Sequence, residues 1–522
     1  MLKILLILSV IVLTGCGGGG GAAADEIVDE IVNEAELQAE PMRFPEFGGT
    51  LYLTMRAPST LNPLLNEDET VDRVLALLFE RLFVSDDMGR AVPNPVIAQS
   101  YTMSADARSL TVVMREDIFW SDGSRVTAGD VAFSIDFLRT EAPVGAIYRP
   151  NVANVASTSV TGNSVRINLN SPDAFMAHML KIPIIPAFHY RNVAHGNARQ
   201  MRPVGNGPFV FESYVRGREV VLAASPLSLR SPAYIDNVVA RVTVSDEVDI
   251  NAVTSGVADA LYLTDTGWSR VANRQGIRAQ SILSRHFDFV GFNFNNPVFA
   301  RQEARAAVAQ AMPMGRILET VFLGEGVLAP TPVAPGTWLA NDAVAHMDFE
   351  LSQAAAYFRE AGINYRQLEL RILANVESFE RTRVAEILAD TLGSLGIAVR
   401  LYVLPWDEYR ARLTAGEFDI FLAGYSMAPG PDMSRLFDPG NNPMRYRSPA
   451  LDALLAETLA ARGDDDKIDA YHNLQNYIAS EMPIIGLVFR TQARLLNNRV
   501  NGPIGGAAVF GSVEQWYLET RY

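Results

Sequence analysis

The most regular hydrophobic pattern lies in the last third of the chain. Leu368 to Ala374 suits a buried strand, and Glu380 to Leu395 follows with Val384, Ile387, Leu388, Leu392 and Leu395 on one helical face. Gly396 supplies a C-terminal stop, and Ile397 to Leu404 is a second strand. This predicts a βαβ unit with parallel strands and a right-handed crossover. A helix over Trp406 to Ala415, ended by Gly416, leads into a third strand, Phe418 to Ala423. In open α/β sheets ligands bind at the C-terminal ends of the strands, which here are the loops Asn375–Phe379 and Gly424–Ser434.

Elsewhere the alternation is less regular. Trp120-Ser121-Asp122-Gly123 reads as a turn, and Thr127 with Asp130 resembles a capping box that opens a helix to about Leu138. Val204 to Val221 reads as a glycine loop and a hairpin around Arg216-Gly217, and Phe289 to Asn295 alternates like a strand. Glu303 to Met312 is an alanine-rich helix stopped by Pro313. Leu451–Ala461 and Ile468–Ser480 form a helical pair across Asp464-Asp465-Asp466, which reads as a solvated loop because it lacks EF-hand spacing.

Composition changes the picture mainly at the N-terminus. The chain has 522 residues, 48% hydrophobic and 20% charged, with a net charge of −15 and one cysteine. That length supports a large core and several structural units, and it excludes disorder or a disulfide scaffold. The acidic balance argues against a nucleic-acid partner. Ile4 to Leu13 is apolar but too short to span a bilayer, so residues 1–15 read as a signal peptide. Its end, Leu13-Thr14-Gly15-Cys16, resembles the bacterial lipobox, which makes Cys16 the expected lipid attachment point and places the mature protein on the outer side of a membrane. Residues 16–47 read as a flexible linker. Asp25 to Glu40 holds seven acids and no base, nearly half of the net charge, and it repels an anionic lipid surface.

The search for chemistry is largely negative. The six histidines lack the helical spacing of a zinc site, and no phosphate-cradling glycine motif is present. Gly424-Tyr425-Ser426-Met427-Ala428 approaches a nucleophile elbow without its final glycine. The expectation is therefore no enzyme, no cofactor and no metal site.

The run from Trp120 to Ser134 is similar to the tryptophan–aspartate–glycine turn and threonine–alanine–x–aspartate–valine helix start of the peptide/nickel group of bacterial extracellular solute-binding proteins, family 5. Gly48-Gly49-Thr50-Leu51, Leu61-Asn62-Pro63, Val204 to Phe209, Ser255 to Asp259, and Tyr446 with Pro449 to Leu455 extend the resemblance in the same order along the chain. Two positions depart from it. Asn206 stands where threonine is usual, and Phe79-Glu80-Arg81-Leu82 replaces a tyrosine-led motif, both in expected scaffold.

The resemblance implies an α/β fold of the type II periplasmic-binding kind, with two lobes around a hinged cleft and an extra subdomain in the first lobe. The first lobe is expected at 48–85, 204–290 and 498–522, the subdomain at 86–203, and the second lobe at 291–497. It implies a monomer that captures a short peptide and delivers it to an ABC permease. A nickel–chelator complex, an oligosaccharide, or a lipid-anchored peptide sensor are the alternatives. Peptide binders of the family hold ligand main chain by hydrogen bonds and meet its ammonium with an acid, here Asp432. Tyr425 and Trp406 are expected as apolar walls, Asn293 and Asn295 near the hinge as donors to ligand carbonyls, and Ser59 and Thr60 as cleft residues after the first strand. Trp120 is assigned to structure.

Overall fold

A computed structural model describes residues 47–263, 268–438, 442–503 and 512–519. The signal peptide, Cys16 and the linker up to residue 46 lie outside the described residues. No described helix is long and apolar enough to cross a membrane.

Three sheets organise the α/β fold. The first has four strands in the order Thr50–Met55, Asn237–Val242, Glu219–Ala224 and Phe209–Val215. The first pair is parallel and the rest antiparallel, and the hairpin turns at Arg216-Gly217 as its sequence predicts. A second four-stranded sheet, Ala98–Met103, Ser109–Met114, Ser164–Leu169 and Val155–Thr161, lies wholly within 86–203. It packs on the helix Ala128–Thr140, which the Thr127–Asp130 capping box starts. Trp120 is fully buried in the core that these two sheets share, which accords with a structural role.

The third sheet draws strands from both expected lobes. Its order is Ala260–Leu263, Ile484–Asn497, Ile277–Phe292, Ile420–Ser426, Glu369–Asn375 and Ala398–Leu404, with Gly326–Leu328 on the outer part of Ile484–Asn497. The βαβ reading holds: Glu369–Asn375 and Ala398–Leu404 pair in parallel along seven residues, joined by the helix Phe379–Ser394. The next helix, Trp406–Ala415, ends at Gly416 in the left-handed region (φ +75°), a conformation in which a Cβ would be strained.

Several local expectations shift. The strand expected at Phe289–Asn295 is the end of a much longer one, Ile277–Phe292, so a lobe boundary at 290/291 falls inside it. Asn293 and Asn295 follow that strand, and Phe292 pairs with Ile420, the first residue of its neighbour. The two asparagines therefore lie just beyond the end of the ladder between Ile277–Phe292 and Ile420–Ser426. Asp464, Asp465 and Asp466 are not a loop. They form the first turn of the helix Gly463–Glu481, where carboxylates complement the positive end of the helix dipole.

The strands Ile277–Phe292 and Ile484–Asn497 run through both halves of the third sheet. Their ladder is regular from Ile277 to Leu283, breaks, and resumes at Phe287. Such a bulge adds residues on one strand and re-aims their side chains. The residues it re-aims are Ser284, Arg285 and His286.

Candidate functional site

The 86–203 segment meets the later part of the chain along one seam. The loop after strand Ile420–Ser426 forms the second-lobe side. Across it, the 86–203 segment contributes Met88–Ala91 and Ala174–Lys181. Ala174 N–H donates to the Leu459 carbonyl at 3.1 Å and Trp338 N–H to the Met88 carbonyl at 3.2 Å. Arg90 lies 3.5 Å from Asp464, and the Lys467 ammonium sits 4.9 Å from the Phe175 ring centroid. Phe175 meets Tyr471 edge to face at 5.4 Å, and Tyr471 Oη donates to the Pro431 carbonyl at 2.8 Å. These contacts join the 86–203 segment to the stretch from Trp338 to Tyr471.

His178 is embedded in this seam. Its Nε2 accepts from Ala91 N–H at 3.4 Å and the ring also bonds the backbone of Pro429, which fixes a neutral tautomer bridging two parts of the fold. Burial, then the charges of Lys181 and Lys467, pushes its pKa down to about 3 against the opposing pull of Asp86.

Behind the loop lies a network of paired charges. The Asp288 side chain is fully buried on strand Ile277–Phe292. It accepts from Arg381 Nε at 3.0 Å and from Arg490 Nη2 at 3.1 Å, and Arg490 also reaches Glu380 at 3.1 Å. Burial raises the Asp288 pKa, but His286 and the two guanidiniums outweigh it and hold the group well below the usual carboxylate range. Gly424 lies flat against this cluster. A Cβ there would collide with the Arg381 guanidinium and the His286 ring, so only glycine fits.

The sequence-derived candidates fall into three groups. Tyr425 and Asp432 share the seam loop. Tyr425 is half-buried in the strand opposite Phe287, and both Asp432 oxygens accept from Ser434, from its N–H at 2.8 Å and its hydroxyl at 2.9 Å. Asp432 is also close enough to Asp173 to add to the rise in pKa that burial gives that group. Trp406 is exposed and stacks on Tyr409 at 5.7 Å, forming an apolar edge with exposed Val376 and Phe379 at the C-terminal ends of the parallel strands.

Asn293, Asn295 and Thr60 serve the protein's own backbone. The Asn293 amide donates to the Gly416 carbonyl at 3.1 Å and the Phe418 carbonyl at 2.9 Å, while its oxygen accepts from Asn295 N–H. Thr60 is buried, accepting from Asn62 N–H at 3.0 Å. Ser59 beside it is exposed. Ser426 is the last residue of a strand, so it does not occupy the strand-to-helix turn that a nucleophile elbow requires.

What the sequence reading missed is a group of cations. Arg81 donates to Asp72 at 3.2 Å and to the Tyr148 hydroxyl at 2.7 Å, and the hydroxyl donates on to Asp72. Arg81 bridges in antiparallel fashion to Pro183, which sets Lys181 beside it. Arg285, in the bulge, is exposed and donates to the Met427 carbonyl at 3.0 Å. The one available signal was the departure at Phe79-Glu80-Arg81-Leu82 from the tyrosine-led motif of the resemblance.

Comparison with known proteins decides the family. The profile of bacterial extracellular solute-binding proteins, family 5 Middle, matches residues 92–443, two thirds of the chain. The chain belongs to that family. Heme-binding protein A of Haemophilus influenzae is 23% identical over 503 residues, covering 88% of this chain and 91% of that protein. The periplasmic oligopeptide-binding protein OppA of Salmonella typhimurium is 23% identical over 485 residues, covering 85% and 88%. Among solved structures, HbpA2 from Haemophilus parasuis superimposes with a TM-score of 0.80 at 19% identity, covering 90% of this chain and all of that one. The family 5 fold, two lobes with an added subdomain, is thus this chain's fold.

Proposed function

We propose that this family 5 protein is the lipid-anchored, extracytoplasmic binding component of an ABC importer and that its cargo is a short peptide. The observation that carries the peptide reading is a backbone edge. Strand Ile420–Ser426 pairs with its parallel neighbour through Ile420 and Phe421, and among the described residues that ladder goes no further. From Leu422 to Ser426 the edge has no strand partner there, and it runs into the seam loop. An extended peptide recognised by added-strand hydrogen bonds needs such an edge beside a closing lobe. The relationship to an oligopeptide-binding protein supports the same reading.

In this reading the ligand lies between strand edge and first lobe, Asp432 faces its ammonium, Tyr425 flanks it, and Trp406 with Phe379 offers an apolar wall. Lobe closure replaces water by protein contacts, and the permease distinguishes closed from open forms. Cys16 carries the anchor, and the protein acts by binding alone, as a monomer.

Isothermal titration of the delipidated protein against di- to hexapeptide pools is expected to show binding. No heat from any pool, together with a non-peptide mass in the material that copurifies, overturns the peptide assignment. Labelling of Cys16 by a radioactive fatty acid, lost in Cys16→Ser, tests the anchor.

A further inference from the structure

We propose that His286 is a proton-sensitive positioning residue. In its neutral form it orients the Arg381 guanidinium against Gly424 and thereby holds the strand edge Leu422–Ser426, and its protonation frees that edge. The inference rests on the reading above in one respect, that the solute lies on this edge.

The geometry fixes the protonation state of the ring. Arg381 Nη2 lies 3.0 Å from His286 Nε2, and a guanidinium has only hydrogens to offer. Nε2 is therefore the acceptor, and the ring in this arrangement is neutral with its hydrogen on Nδ1. The other two nitrogens of Arg381 are spent inside the fold. Nε donates to Asp288 Oδ1 at 3.0 Å and Nη1 to Asn375 Oδ1 at 3.2 Å. Each nitrogen thus has one acceptor, and of the three acceptors the imidazole is the type that gains a proton close to neutral pH.

The ring is also placed to exchange that proton. It stands in the break of the ladder between Leu283 and Phe287, and its side chain is 32% exposed, whereas that of Asp288 two residues on is fully buried. The charged groups around it come from three elements. Its own strand supplies Asp288, whose Oδ1 is 3.6 Å from Nε2, and Arg285, which is turned to the Met427 carbonyl at 3.0 Å. The helix Phe379–Ser394 supplies Arg381, and the strand Ile484–Asn497 supplies Arg490, bound to the Asp288 carboxylate at 3.1 Å with Glu380 behind it. Strand Ile420–Ser426 sets Gly424 opposite Asp288 and Ser426 opposite His286, and neither of these titrates.

A proton on Nε2 sets hydrogen against hydrogen and charge against charge at 3.0 Å. Asp288 attracts the new hydrogen, but the oxygen nearest to it already accepts from Arg381 Nε, so ring and guanidinium cannot both keep their places. Neither moves without disturbing Gly424. A Cβ built on that residue would collide with the Arg381 guanidinium, the His286 ring and the Asp288 carboxylate, so its backbone lies flat on all three. Gly424 is the middle of Leu422–Ser426, the stretch whose ladder to the parallel neighbour has ended. That stretch is held from one side only, by a ladder to Ile277–Phe292 that starts with His286 opposite Ser426. Displacing the ring opens this ladder from its end and loosens the edge, so a solute bound there is held at neutral pH and let go in mild acid.

The test is amide hydrogen exchange on the delipidated full chain, comparing the native protein with His286→Gln, whose amide oxygen accepts from Arg381 at any pH. Without peptide, exchange in residues 420–428, corrected for the chemical effect of pH, is expected to be at least about fivefold faster at about pH 5.5 than at about pH 7.5 in the native protein, and to differ by less than about twofold in the variant. A native rise below about twofold, a rise of the same size in the first-lobe strand Asn237–Val242, or a rise that His286→Gln retains overturns the role of His286. His286→Arg, a permanent cation, is expected to exchange fast at both pH values, and protection at about pH 7.5 overturns it as well. Affinity for di- to hexapeptide pools reads the link to the solute. It should fall about tenfold over the same interval in the native protein and less than about twofold in His286→Gln, and equal profiles overturn that link. Exchange that responds as expected while no pool binds overturns the peptide reading and leaves the role of His286 standing.

Discussion

Asp288 and Arg285 stand three residues apart on one strand, and the charges around them are arranged in opposite ways. Around Asp288 every charge is spent: two guanidiniums meet one carboxylate, a second carboxylate meets one of those guanidiniums, and the site is dry. Arg285 instead is exposed, its guanidinium donates to the Met427 carbonyl, and among the described residues no carboxylate lies within 4.0 Å of it. The difference is set by burial. A fold tolerates a buried ion cluster only when it is closed on itself, because each unpaired charge costs several kcal/mol. A lone charge is tolerable where water can reach it.

The sharpest way to break this comparison is Asp288→Asn. It leaves Arg381 without its carboxylate and Arg490 with Glu380 alone, so an expected loss of about 3–5 kcal/mol should appear in urea denaturation at pH 7. A loss under about 1 kcal/mol would mean that the network does not stabilise the second lobe.

His178 provides the next test, because it is a buried seam group without a counter-charge. The unfolded chain takes up a proton on this ring near pH 6.5, whereas the folded form refuses it until about pH 3. Stability is therefore lost as pH falls through that window, by at most about 1.4 kcal/mol per unit. The groups facing the ring are Lys181, Lys467 and Asp86, so the steepest part of the effect is expected above pH 4, before Asp86 titrates. Melting curves of native protein and His178→Gln should diverge between pH 7 and 4. Parallel curves would remove His178 from the account.

Arg285→Gln should reverse the pattern seen at Asp288. Stability is expected to change by less than about 0.5 kcal/mol, because the side chain is exposed and makes one hydrogen bond. A stability loss comparable to that of Asp288→Asn would erase the distinction.

The smallest effect is expected at Asp432. Its oxygens already accept from Ser434, so Asp432→Asn should weaken a free-amine peptide by a few-fold and its N-acetylated form less. Equal losses would show that Asp432 serves only its own loop.

Much of the second lobe was legible because its signals are local. Helical periodicity around Val384 to Leu395, Gly416 as a terminator and the Thr127–Asp130 box each depend on residues a few positions apart, and each formed as read. The extent of strand Ile277–Phe292 was not legible. Its first half mixes exposed and buried positions without alternation, and its end from Phe287 to Phe292 is buried on both faces, so no single period describes it. The asparagine candidates misled for a related reason. Asn293 does donate to carbonyls, but antiparallel pairing sets those of Gly416 and Phe418 in front of it, just beyond the end of the ladder.

The sequence by itself determined the elements, the family and the expectation of a lipid-anchored export form, because motifs, periods and caps are written over short spans. Only the tertiary structure decided which charges were matched. Asp288 finds Arg381 and Arg490, and Arg81 finds Asp72 and Tyr148, whereas Lys181 rests on the Ser85 hydroxyl and Arg285 on the Met427 carbonyl. Coulomb forces act through space over a few ångströms, and residues 72, 81 and 148, or 288, 381 and 490, become neighbours only once distant parts of the chain are packed together.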